Sequence, residues 1–181
     1  MRGEGSVRRS LKPLNYNDRM LVLRYAALLT LVVWVGGLLV LGGIVAPSIF
    51  DVLSTRSLPD GRLLAGAAFG EVLRRFHLVA YGAGSALLLT LIVRAILGPR
   101  PRRFAWRAAL TLLMLTTTIY SGVSVARRLD RIQRDLGVPP STLAENDPRR
   151  VEFGRLHALA TGLQLVPLLG GLTLIYWELK E

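Results

Sequence analysis

The chain contains no cysteine, which excludes disulfides, thiolate metal centres and Cys nucleophiles and leaves the redox compartment undetermined. No G-x-S-x-G, H-E-x-x-H or Walker loop occurs, and no apolar segment carries a pair of carboxylates, so a recognisable catalytic set is missing. Acidic residues are scarce, 12 against 23 basic ones, and there are only two histidines. More telling is where charge is absent altogether. Residues 25–50, 76–93, 108–126 and 156–177 hold no Asp, Glu, Lys or Arg, in runs of 26, 18, 19 and 22 residues. A helix needs roughly 20 apolar residues to cross a bilayer, so each run is long enough to span.

What is present agrees. Half of the chain is hydrophobic while the net charge is +11, because all the charge is confined to tails, loops and helix ends. The sequence predicts an all-α fold: a four-helix transmembrane bundle running up-down-up-down. A basic N-terminal tail (1–24) precedes a four-helix domain (25–177) with helices at about 21–50, 62–97, 105–137 and 149–178, and a short C-terminal tail (178–181) follows. The first run is too long for the apolar part of a signal peptide and is read as a retained anchor. Pro59-Asp60-Gly61, Gly98-Pro99-Arg100-Pro101 and Gly137-Val138-Pro139-Pro140 mark the turns. Val125, Leu129, Ile132 and Leu136 keep helical spacing among arginines and aspartates, so helix 3 should project beyond the bilayer.

A basic excess held outside the spans is topological and matches lipid headgroups rather than nucleic acid as its anionic partner. Arginine and lysine divide almost evenly between the two sides, but the compact turn with Arg100, Arg102 and Arg103 concentrates them beside the membrane. Short loops weigh most in orientation. The expected placement is therefore a bacterial inner membrane with both termini cytoplasmic.

Between membrane helices, small residues allow the close backbone approach that favours association. Gly36, Gly42 and Ala46 in helix 1, Gly82 and Ala86 in helix 2, and Ala158 and Gly162 in helix 4 are the expected packing positions, within one bundle before a dimer seam. Pro167 should kink helix 4 and free the carbonyl of Leu163. Gln164 and the hydroxyls of Thr116, Thr117, Thr118, Tyr120, Ser121 and Ser124 could satisfy such groups across helices or line a wet pathway. Trp34 and Tyr120 lie deep enough to require internal partners, so both are expected to face the bundle, with Gln164 as a further internal polar group.

His77 and His157 share the pattern R-[FL]-H-x-x-A-x-G near the starts of helices 2 and 4. This suggests two duplicated hairpins, although helices 1 and 3 show no convincing match. Three readings of these imidazoles stand side by side. Each is an interfacial group bonded to its own surroundings, or the pair binds a haem iron or, with Glu71, Glu152 or Tyr81, a metal ion, or they serve a proton-linked role at the membrane surface. No cofactor is predicted outright; haem is the one considered.

Trp34-Val35-Gly36-Gly37, Val45-Ala46-Pro47-Ser48-Ile49-Phe50, Arg74-Arg75-Phe76-His77, Tyr120-Ser121 and Glu152-Phe153-Gly154-Arg155-Leu156-His157 resemble the bacterial DUF4149 family over about residues 25–177. The resemblance implies a small four-helix integral membrane domain and no characterised activity. Gln164 stands where an amide such as Asn is expected in relatives, and the Arg-rich tail looks like an addition. The functional expectation is a non-enzymatic membrane protein, an accessory or structural subunit of a membrane complex whose partners are lipids and other membrane subunits or a second copy. The alternatives are a haem- or metal-binding protein using His77 and His157, and a small-solute or metal exporter with a wet cavity lined by Thr116, Tyr120 and Gln164.

Overall fold

A computed structural model of the protein describes residues 15–55 and 60–180. Most of the basic tail and the Pro59 part of the first turn lie outside the described residues.

Among the described residues four helices are long and apolar enough to cross a membrane: α1 Tyr16–Ser54, α2 Gly61–Leu97, α3 Phe104–Leu136 and α4 Pro148–Leu179. Among the described residues there is no strand. At 1.5 Å per residue, helices of 32 to 39 residues exceed the ~30 Å hydrocarbon core, so each projects from the bilayer. The first helix begins inside what the charge pattern marks as tail, because nothing from Tyr16 to Arg24 breaks a helix.

Chemistry sets the boundaries. Gly98 adopts an extended backbone after α2, with Pro99 and Pro101 beyond it preventing helix. The next helix starts after Arg103, the one described non-glycine residue at positive φ, 59°; its guanidinium stands 5.4 Å above the Trp177 ring. Gly137, at φ 62°, ends α3 and returns its N–H to the Gln133 carbonyl, the left-handed termination that glycine makes cheap. Asp147 caps α4 by accepting from the Arg149 N–H at 2.8 Å. Helix α4 runs on as one helix through Pro167, which is buried inside it.

Consecutive helices pack as neighbours and α1 closes the ring against α4, leaving α2 and α4 diagonal. Both described ends lie at one end of the bundle, here the terminal end; the loops after α1 and α3 form the far end. The core holds Leu31, Trp34, Ala80, Met114 and Leu174. Close approach is made by Gly84, where a Cβ would stand 2.8 Å from Leu115 and 2.9 Å from the Trp34 ring, and by Gly37, Gly170 and Gly171 against Phe76, Met114 and Val35.

The positions expected to pack within the bundle are placed otherwise. Gly42, Gly82, Ala86, Ala158 and Gly162 are exposed, and a Cβ on Gly36, Gly42, Gly82 or Gly162 would meet nothing within 4 Å. Ala46 is half-buried. Small-xxx-small spacing defines a smooth face but not its direction. Direction is set by the bulky partners, Trp34, Phe76, Met114 and Val35, which select glycines elsewhere on the same helices.

The odd helices share features at the spacing of the histidine motif. A π-turn interrupts α1 at Leu41–Val45 and α3 at Ser121–Val125, positions 80 apart, the offset that separates His77 from His157. Three buried pairs keep the same offset, Leu31 and Thr111, Trp34 and Met114, and Leu41 and Ser121, whereas His77 is buried and His157 exposed. Sequence comparison missed this match because one half uses Leu and Trp where the other uses Thr, Met and Ser.

Candidate functional site

Two polar clusters interrupt the apolar interior. The first sits at the terminal end, and each helix contributes one residue: Arg24, Arg94, Arg107 and Glu178. Arg94 Nη1 donates to Glu178 Oε1 at 2.7 Å, and Arg107 Nη1 donates to the same oxygen. Arg107 Nη2 donates to the Trp177 carbonyl at 2.9 Å, and Arg24 Nη2 to the Glu178 carbonyl at 2.8 Å. Arg94, Arg107 and Glu178 are about 95 % buried, so their charges depend on partners within the protein rather than on solvent. Breaking such an arrangement by removing one partner is far costlier than the net stability it confers. This cluster is a fastening that gathers four helices at one depth.

Sequence reasoning missed it, though a signal was present. Arg24, Arg94, Arg107 and Glu178 each directly flank an apolar run on the terminal side, and one acid among three bases at a shared depth is a pairing pattern. Counting the arginines as topology and Glu178 as tail hid it.

The second cluster lies nearer the far end. His77 is 5 % exposed and faces α3, where Gly122 of the π-turn makes room: a Cβ there would be 2.9 Å from the imidazole and in collision with the Tyr81 hydroxyl. The Leu73 carbonyl, one turn back, acts on the ring, yet Nδ1 has no hydrogen bond of normal geometry. A small cavity beside it is lined by Leu38, Leu73, Phe76, His77, Thr118, Leu163, Gln164 and Pro167, and all four helices contribute.

His157 is placed differently despite the shared motif. It is exposed and stacks on Phe153, centroids 6.2 Å apart and planes within 9°. The two imidazoles therefore do not converge on one pocket. The carboxylates considered as co-ligands are engaged elsewhere, Glu71 with Arg74 and Arg75 and Glu152 with Arg128. Among the described residues no three His, Asp or Glu side chains are grouped to hold a metal ion.

Of the internal polar residues, Trp34 is fully buried, as expected, but its indole N–H finds no acceptor. Gln164 lines the His77 cavity. Tyr120 is 50 % exposed and points outward with Thr116, so the anticipated cavity shared by Thr116, Tyr120 and Gln164 is not formed. The anticipated bonding across helices is also replaced. Thr111, Thr117 and Thr118 each donate to a carbonyl one turn back in their own helix, an outlet always available to a helical hydroxyl.

Residues 29–136 match the family described as "Domain of unknown function (DUF4149)". That is more than half of the chain, and the chain belongs to this family. The match ends with α3, short of the α4 segment that the sequence resemblance includes. No curated protein and no solved structure matches.

Proposed function

We propose that this DUF4149 protein is a non-catalytic accessory subunit of a membrane complex, docking through the outward small-residue faces of α2 and α4 onto helices of a larger assembly or of a second copy. The observation that carries this reading is the direction of Gly82, Ala86, Ala158 and Gly162. All four are exposed, and a Cβ on either glycine would meet nothing. Glycine in a lipid-facing helix sacrifices helix propensity without local gain, whereas against another helix it permits close backbone contact. Gly82 and Gly162 are also equivalent under the 80-residue repeat, so the molecule offers two related faces. Its setting in this reading is a bacterial inner membrane with the terminal end cytoplasmic, as the basic turn between α2 and α3 favours.

The absence of cysteine makes the test clean. Gly82→Cys and Gly162→Cys, introduced singly and oxidised in native membranes, should cross-link to a copy or to an endogenous subunit that also co-purifies in mild detergent. Ile92→Cys and Leu172→Cys, at bulky exposed positions about 80° round their helices from the two glycines, should not. A protein that stays monomeric and uncross-linked at both glycines, and moves a solute in liposomes, overturns the reading.

A further inference from the structure

The terminal end is closed by the four-residue charge cluster, but the far end is not closed on every side. Beyond its π-turn α1 leans on α2, and the far part of α3 leans on α4 and α2, while α1 beyond the turn and α4 hardly touch. The α1–α4 contact is made lower down, where Gly171 receives Val35. Helical spacing carries the α1-facing side of α4 from Gly171 through Gln164 and Ala160 to His157 and Phe153. The exposure of His157 is what an uncovered stretch of that side produces. On α1, Gly42 follows Leu38 by one turn and presents no side chain. The far part of α1 and α4 thus make few contacts beside the cavity that holds His77, Thr118 and Gln164.

We propose that this cavity seats the uncharged oxygen, hydroxyl or carbonyl, of a membrane-dissolved amphiphile whose apolar tail lies in the gap between α1 and α4. The buried Nδ1 of His77 makes no hydrogen bond of normal geometry, and the residue lines a space with room for about one water-sized group. Thr118 donates to Met114, which leaves its oxygen free to accept. The Gln164 amide both donates and accepts. Leu163, whose carbonyl loses its helical partner to Pro167, completes the polar lining. Such a set matches one neutral oxygen. No cationic or anionic side chain lines the cavity, so a charged headgroup would be uncompensated at this depth. With one histidine and no carboxylate, metal is equally unsuited. Leu38, Leu73 and Phe76 give the apolar rim that the first carbons of a tail require.

The test uses full-length protein in nanodiscs labelled with ¹⁵N-histidine, with His157→Gln to assign the His77 signals. Geranylgeraniol supplies a hydroxyl, decylubiquinone a carbonyl, squalene no oxygen and geranylgeranyl phosphate a charge. At least one of the first two should shift the His77 resonances saturably, and which one responds identifies the oxygen; the last two should leave them in place. Gln164→Leu and, separately, Thr118→Val should weaken the response about tenfold, the loss of roughly one hydrogen bond, with helical circular dichroism retained. The proposal falls if neither oxygenated probe gives a saturable shift, as for a site that holds only water or is covered by a partner helix. It falls equally if both folded variants respond like the parent protein.

Discussion

At the residue scale, Glu178 matters most to the integrity of the bundle. One carboxylate oxygen accepts from Arg94 and Arg107, and Arg24 approaches the other at 3.9 Å. Replacing it with Gln keeps the shape and one acceptor oxygen but removes the charge that three guanidiniums share. Breaking a buried pair in this way costs about 3–5 kcal/mol; because Arg24 is about one-third exposed, the lower part of that range is expected. Thermal unfolding in detergent should show Glu178→Gln melting well below the parent. Glu71→Gln, which loses two exposed arginine partners, should melt with it. Equal behaviour of the two variants would show that the buried cluster is no fastening. The contrast also marks what single residues disclose in sequence. That Trp34 is internal follows from its depth in an apolar run, whereas the partnership of residues 84 and 154 positions apart, Arg94 and Arg24 with Glu178, depends on helices meeting in space.

At the scale of the element, helix ends were legible because their chemistry is local. Pro-rich turns, Gly137 and the start of α4 near Arg149 could be read from residue type alone. Asp147 illustrates the physics: the Arg149 guanidinium, then its backbone N–H, holds the carboxyl below its ordinary value. A depressed folded pKa means that the cap contributes fully above the unfolded value of about 3.9 and fades as pH falls through the folded one. The first turn of α4 should therefore fray in acid. Hydrogen exchange at Arg149 and Val151 should be slower than in Asp147→Asn at neutral pH and should converge on that variant below about pH 4; an unchanged ratio across the range would remove the charged cap as the cause. The π-turns were not legible, because a π-turn changes the registry of hydrogen bonds without a reserved residue type. Gly122 becomes meaningful only once His77 and Tyr81 are seen against it.

For the whole molecule, four spans and their alternation follow from run length and from the absence of lipid-exposed alternatives to a helix. Which faces meet does not, since lipid competes with every apolar contact and the decisive contacts are few. The result is a bundle with unlike ends. The terminal end is gathered by charge; at the far end α1 and α4 are joined by little. Local stability should follow this difference, because segments with few buried contacts open at lower cost. Spin labels on exposed positions of the two helices can measure it: Tyr25 with Leu179 at the terminal end, and Phe50 with Arg155 at the far end. The terminal pair should give a narrow distance distribution and the far pair a broad one. Filling the gap should narrow the far distribution and leave the terminal one unchanged, since a ligand of that space stabilises only the arrangement that encloses it. Two equally narrow distributions without any added amphiphile would mean that the far end is already locked, and the gap would then be a fixed furrow rather than an entrance.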